Sequence, residues 1–195
     1  MAGLSPPPGP PAPPAQATAA DLAAGLAHVL AAPRSAGPVT MLCLRPAFNA
    51  RSFPDRIRLT RAEGIPGERW LTHPWLRLPD GRPDPAIQVS ILALRVLDLV
   101  WRDRARVVHP GDPLVADLDL SEANLPPGSL LAAGSAVLRV SGVWNRGCVK
   151  WKARYGAAAM DWVAAPAHRA LRLRGILCAV EADGEVALGD RVVPL

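Results

Sequence analysis

Both lysines of the chain, Lys150 and Lys152, stand within four residues of Cys148, and Arg146 and Arg154 extend the basic cluster on either side. Cations crowded around a thiol favour its deprotonated form, and the thiolate is the species that attacks sulfur or binds metal. The spacing of Trp151, Tyr155, Ala158, Ala159 and Trp162 predicts a helix beginning at Val149 or Lys150, with the aromatic rings on one face. Cys148 then sits at the helix start, where free N–H groups and the positive end of the macrodipole favour an anion, either the thiolate or a bound phosphate. Gly147, lacking a Cβ, permits close backbone approach just before it. The competing reading makes Cys148 a small buried filler beside solvated charges, with the aromatic stripe as core packing.

The other candidate residues carry less. Cys43 and Cys178 lie in apolar, strand-like runs without a basic cluster and read as inert fillers. His28, His73, His109 and His168 are widely separated, with no HxH or HExxH pair to hold a metal. No Gly-rich phosphate loop and no GxSxG elbow is present, which removes the common nucleotide hydrolase and serine hydrolase classes. The net charge is +5, but twenty arginines are scattered along the chain rather than gathered in a stripe, so nucleic acid is not an expected partner.

The elements needed to position this cluster belong to a β-rich chain. At 195 residues, half of them hydrophobic, the length fits one domain plus an appended segment. Residues 1–20 are rich in Pro and Ala and read as a disordered tail; an amphipathic helix capped by Asp21 is expected within 21–35; a β-rich domain is expected over 36–195. Strands are expected at 39–44, 56–60, 114–118, 136–143, 171–181 and 185–188, and a last strand closes at 189–193. A brief strand followed by a helix is expected through residues 86–101, and Asp183-Gly184 predicts a β-hairpin turn. The three cysteines lack disulfide spacing, no secretory signal pattern opens the chain, and the apolar run 130–138 is too short to span a bilayer. A cytoplasmic protein without a membrane partner is the expectation.

The run Asp117-Leu118-Asp119-Leu120-Ser121-Glu122-Ala123-Asn124-Leu125-Pro126-Pro127-Gly128, followed by Gly134-Ser135-Ala136-Val137-Leu138 and Gly147-Cys148, resembles the MOSC domain, the C-terminal domain of molybdenum cofactor sulfurases. The likeness continues through Leu173-Arg174-Gly175, Gly184-Glu185-Val186 and Gly189-Asp190. It implies a mainly β, barrel-like fold with a few helices, and a cysteine, Cys148, that carries persulfide sulfur or contacts molybdenum. It further implies that Glu122 and Asn124 line a pocket mouth, while Asn145, Arg146, Lys150, Lys152 and Arg154 hold an anionic ligand such as the phosphate of the molybdenum cofactor. Many members of the family carry His three residues before the cysteine; Asn145 stands there in this chain and cannot relay a proton. The family's early Gly-Asp-Arg-like motif is replaced by Gly67-Glu68-Arg69-Trp70. The pyridoxal-phosphate domain of full sulfurases has no room in 195 residues, so sulfur is expected from a separate donor protein.

Three functions are therefore in view. The first is a module that binds the molybdenum cofactor, an anionic pterin, and carries sulfur on Cys148. The second is a stand-alone molybdenum enzyme reducing N-hydroxylated compounds, with Cys148 as the metal ligand. The third is a non-catalytic module for an anionic ligand.

Overall fold

The structure is a computed structural model and describes residues 12–195. Helix α1 (Ala19–Leu30) leads into β1 (Gly37–Leu42) and β2 (Arg56–Leu59). Strand β3 (Val89–Ala93) runs directly into α2 (Leu94–Val100), and β4 (Leu114–Ala116), β5 (Leu130–Ala133) and β6 (Ala136–Val140) follow. Helix α3 (Val149–Ala164) separates β6 from β7 (Ile176–Ala182), β8 (Gly184–Ala187) and β9 (Arg191–Pro194). Seven strands close a barrel in the order β1-β4-β3-β7-β6-β5-β9, with β9 returning to β1, while β2 and β8 form a separate two-stranded sheet. Closure removes the free edges that an open sheet would present. The core is filled by apolar side chains from the barrel strands, among them Val39, Leu42, Val89, Ile91, Leu114, Leu131, Leu138 and Val192.

The β3–β4 pair is parallel and every other barrel pair is antiparallel. A parallel pair needs a long crossover, supplied here by α2 and residues 101–113. That crossover ends beside the loop leaving β1, because Leu42 pairs with Leu114 and the Cys43 N–H donates to the Pro113 carbonyl at 3.0 Å. Two long loops are thus forced together at one place on the barrel.

Several expectations change in detail. The helix expected within 21–35 starts at Ala19, because Thr18 rather than Asp21 is the N-cap; Thr18 and Asp21 form a reciprocal capping box. It docks firmly, with Leu22 fully buried and Gly25 so close to Leu99 that a Cβ would fall 2.5 Å from its Cδ2. Of the Pro/Ala-rich segment, residues 1–11 lie outside the described residues; Ala17 is buried, and the Ala12 and Pro13 carbonyls accept from Arg106. Strand β5 was not among the expected strands; the apolar run 130–138 is two strands folded over Gly134-Ser135. Strand β7 begins at Ile176 rather than Leu171, since Arg172 adopts a left-handed φ of 49° that no strand accommodates. The hairpin expected around Asp183-Gly184 does not form a ladder. Both edges of β7 are already occupied by β3 and β6, so β8 pairs with β2 instead, Ile57 opposite Val186.

Helix α3 is broken at Gly156, whose φ of 93° and ψ of 169° lie in a region open essentially to glycine alone. The expected aromatic face survives by a different route. The chain turns at Gly156, the Trp151 indole N–H donates to the Ala159 carbonyl across the break, and Trp151, Tyr155, Ala159 and Trp162 are all buried. A Cβ at Gly156 would also stand 2.4 Å from Gln16 Oε1. Gly156→Ala is expected to destabilise the protein by about 1–3 kcal/mol, read as a lowered midpoint in denaturant unfolding; an unchanged midpoint would show that the break is not required.

Candidate functional site

Cys148 is the N-cap of α3, with extended backbone (φ −123°, ψ 174°), and its side chain is exposed. It makes no side-chain hydrogen bond to the helix start, so the first-turn N–H groups are not consumed by the cap residue. Cys43 and Cys178 are buried, and burial pushes both thiols up to about 12. Among the three cysteines, only Cys148 can meet a reagent in solution.

The ground beside this helix is built by residues 108–112, the end of the crossover into β4. Three successive carbonyls here are held by side chains from elsewhere. Val108 accepts from the Tyr155 hydroxyl at 2.9 Å, His109 from Arg51 Nε at 3.3 Å, and Pro110 from both Arg51 Nη2 at 3.4 Å and Arg154 Nη1 at 3.3 Å. Asp112 then meets Arg174, whose Nη1 donates to both carboxylate oxygens at 2.9 Å; the Asp112 side chain is 1% exposed and that of Arg174 14%. Burial would raise the Asp112 carboxyl, but the Arg174 charge and its hydrogen bonds, with help from the Ser90 side chain, hold it below the ordinary carboxylate range. Arg174 also lies over the Trp151 ring at 4.6 Å, and its carbonyl accepts from Asn145 Nδ2 at 3.1 Å. One ion pair thereby ties the crossover, α3 and the segment preceding Cys148 into a single unit.

A cavity of about 140 Å³ opens above this unit, lined by Arg45, Arg69, Trp70, Trp75, Asn145 and Arg174 among others. Arg45 is neutralised by Glu68, whose buried carboxylate takes its backbone N–H, Nε and Nη2 at 2.6–2.9 Å. Arg69 makes no ion pair among the described residues and sits 5.6 Å from the Phe48 ring, which Lys150 Nζ approaches to 4.4 Å. The cavity is thus walled by guanidinium groups and indoles, a lining suited to a planar or anionic ligand.

The residues expected to form the site are placed unequally. Asn145 lines the cavity; from α3, Arg154 reaches the Pro110 carbonyl and Lys150 the Phe48 ring, whereas Cys148, the N-cap, lines neither the larger cavity nor the smaller one. Arg146 and Lys152 are exposed. Glu122 faces a smaller cavity of about 30 Å³ that Asn145 also borders, 3.6 Å from Arg172. Asn124 is turned elsewhere, donating to the Arg34 and Asp119 carbonyls and accepting from Arg34 Nε at 3.3 Å. Sequence reasoning missed Arg45, Arg51, Arg69 and Asp112 as contributors. The only local signal was Pro110-Gly111-Asp112-Pro113, a charged residue set among turn formers.

His109 is 1% exposed, packed edge-on against Phe53 and Trp101. Its Nδ1 accepts from the Gly111 N–H at 3.1 Å, so the proton resides on Nε2, which has no partner among the described residues. Burial, the largest cause, and then the surrounding arginines outweigh Asp112 and bring its pKa from 6.5 to about 4. The unfolded chain accordingly takes up a proton near pH 6.5 that the folded chain refuses until about pH 4. The neutral ring's stability contribution is complete above the upper value and is lost as the pH falls through this window, by at most about 1.4 kcal/mol per pH unit. Urea unfolding between pH 7 and pH 4 is expected to show this slope in the wild type and a flatter one in His109→Asn; equal slopes would mean that His109 is protonated in the fold.

Neither a family model nor a curated protein matches the sequence. Solved structures match the fold. YuaD from Bacillus subtilis is 22% identical with a TM-score of 0.56, over 80% of this chain and 94% of that one. YiiM from Escherichia coli is 19% identical with a TM-score of 0.52, over 82% and 69% of the two chains. YiiM from Geobacillus stearothermophilus is 13% identical with a TM-score of 0.51, over 82% and 75%. At these identities the likeness concerns the fold: the chain has the barrel architecture of YuaD and YiiM, which are MOSC-domain proteins.

Proposed function

We propose that the protein is a MOSC-type sulfur-handling module that binds the molybdenum cofactor and carries sulfur as a persulfide on Cys148. The observation that supports this reading most is the exposed Cys148 thiol at the start of α3, where buried Cys43 and Cys178 offer no rival. A helix N-terminus stabilises the anion on which such chemistry depends. In the loading step the Cys148 thiolate attacks the outer sulfur of a persulfide on a separate donor protein. The new bond joins Sγ to that sulfur, the donor's S–S bond breaks, and the donor cysteine leaves as a thiolate.

The residues around the thiol fit the anionic part of the cofactor. Arg154 and Lys150 border the cavity's loops without a carboxylate partner among the described residues, and Asn145 and Arg174 line the cavity wall. Arg146 and Lys152, exposed on either side of Cys148, add positive field at the approach. Glu122 would bound the mouth from the neighbouring cavity, whereas Asn124 serves the loop that it bonds. When bound, the cofactor would supply the molybdenum centre that accepts sulfur or that Cys148 ligates.

The test is intact mass and metal analysis of protein purified under reducing conditions and then exposed to a persulfide donor. Wild type is expected to gain the mass of one sulfur atom and Cys148→Ser none, while Cys148→Ser unfolds within about 0.5 kcal/mol of wild type, as an exposed substitution should. Sulfur loading and cofactor retention at wild-type levels in Cys148→Ser would refute the proposal. Stoichiometric molybdenum without sulfur transfer would replace it by the metal-ligand role.

A further inference from the structure

Nine large apolar side chains stand exposed among the described residues, and six of them share one face of the molecule: Phe48, Phe53, Leu71, Trp75, Val108 and Val149. Contacts tie the six together. The Phe48 ring lies 4.4 Å from Nζ of Lys150, the residue after Val149, and 5.6 Å from Arg69. Arg69 in turn borders one cleft with Leu71 and another with Trp75. Phe53 packs edge-on against His109, the residue after Val108, and the Val108 carbonyl accepts from Tyr155 of α3. The Phe48 ring is held in this exposed place by its own loop. A bridge between Leu44 and Ser52 closes the loop, the Ala50 N–H donates to the Ala47 carbonyl at 3.1 Å, and Asn49 takes a left-handed φ of 61° to complete the turn. Large apolar groups gathered at one place in water mark a contact surface.

The charge of the face identifies what it contacts. Segments 43–54, 65–77, 107–113 and 144–155, which carry the six side chains, hold eight Lys and Arg and only two acids, Glu68 and Asp112. Both carboxylates are 1% exposed and each is taken by an arginine, so every charge that these segments turn to solvent is positive. A second copy of this chain would set like charge against like charge, whereas an acidic surface is drawn in. Cys148 is exposed beside Val149 on the same face. We infer that this face docks an acidic segment of a separate protein, with apolar side chains between its carboxylates and a cysteine to set against Cys148. Contacts at Phe48 and Val149 hold the segment, and the surrounding cations steer its approach and select it over neutral or basic partners. That the segment carries a cysteine rests on the sulfur transfer proposed above; its acidic and apolar character does not.

Short peptides, each with one cysteine activated as a thiopyridyl disulfide, test the face at Cys148. The Cys148 thiolate attacks the peptide sulfur, a new S–S bond joins the two chains, and thiopyridone leaves and is followed by its absorbance. No persulfide takes part, so this result and the sulfur-loading result can fail separately. A peptide with Asp, Glu, Leu and Phe around its cysteine is expected to react roughly tenfold or more faster than one of Gly and Ser. That advantage is expected to disappear in about 1 M sodium chloride. Phe48→Ser is expected to cut the advantage by roughly threefold or more while leaving the rate with dithiodipyridine unchanged. Leu188→Ser, at an exposed apolar residue on the turn after β8, is expected to leave both rates unchanged. Equal rates for the two peptides, an advantage that persists in high salt, or a Phe48→Ser protein that reacts like wild type or slows equally with dithiodipyridine would overturn the inference. Sedimentation with phosphatidylserine vesicles that Phe48→Ser abolishes would overturn it in favour of a membrane surface.

Discussion

The candidate site depends on one buried ion pair. Asp112 arrives at the end of the crossover that a parallel β3–β4 pair obliges the chain to make, and Arg174 arrives just before β7. Neither can reach water with ease, and an unpaired charge at either position would cost several kcal/mol. Their pairing therefore fixes the separation of two loops that are distant in sequence. From it follow the placement of the Trp151 ring under Arg174, the bond from Asn145 to the Arg174 carbonyl, and the orientation of the segment that ends in Cys148.

Around this fixed point the chain divides its charges by role. The acids nearest the cavity are each devoted to one arginine, which turns those arginines into rigid, neutralised wall. Arg51 and Arg154, without a carboxylate partner among the described residues, bond the Pro110 carbonyl instead. His109 belongs to the same pattern: a neutral ring among arginines fills space edge-on to Phe53 and Trp101 without adding another positive charge.

Much of this was legible in the residues, and the limits are physical. The thiol at the helix start, the buried Cys43 and Cys178, and the β-rich character of the domain could be read because each rests on local pattern: spacing, flanking charge and strand punctuation; closure into a barrel came from the family resemblance. The break at Gly156 was not legible, since a helical period continues through it and only Gln16, far away in sequence, shows what the missing Cβ makes room for. The pairing of β8 with β2 was hidden for a similar reason. An Asp-Gly turn specifies a reversal, but which edge remains free is decided by β3 and β6. Arg51, Arg69 and Asp112 come from separate loops, and nothing local announces their convergence. Asn124, expected at the mouth, finds its acceptors nearer at hand in Arg34 and Asp119.

The most direct test is a double-mutant cycle on Asp112→Leu and Arg174→Met, followed by denaturant unfolding. Each single substitution is expected to cost about 3–5 kcal/mol, and the pair together less than their sum by roughly 2 kcal/mol or more, because the second change removes the charge that the first stranded. Single effects that add to within about 0.5 kcal/mol would contradict the claim that this ion pair holds the site together.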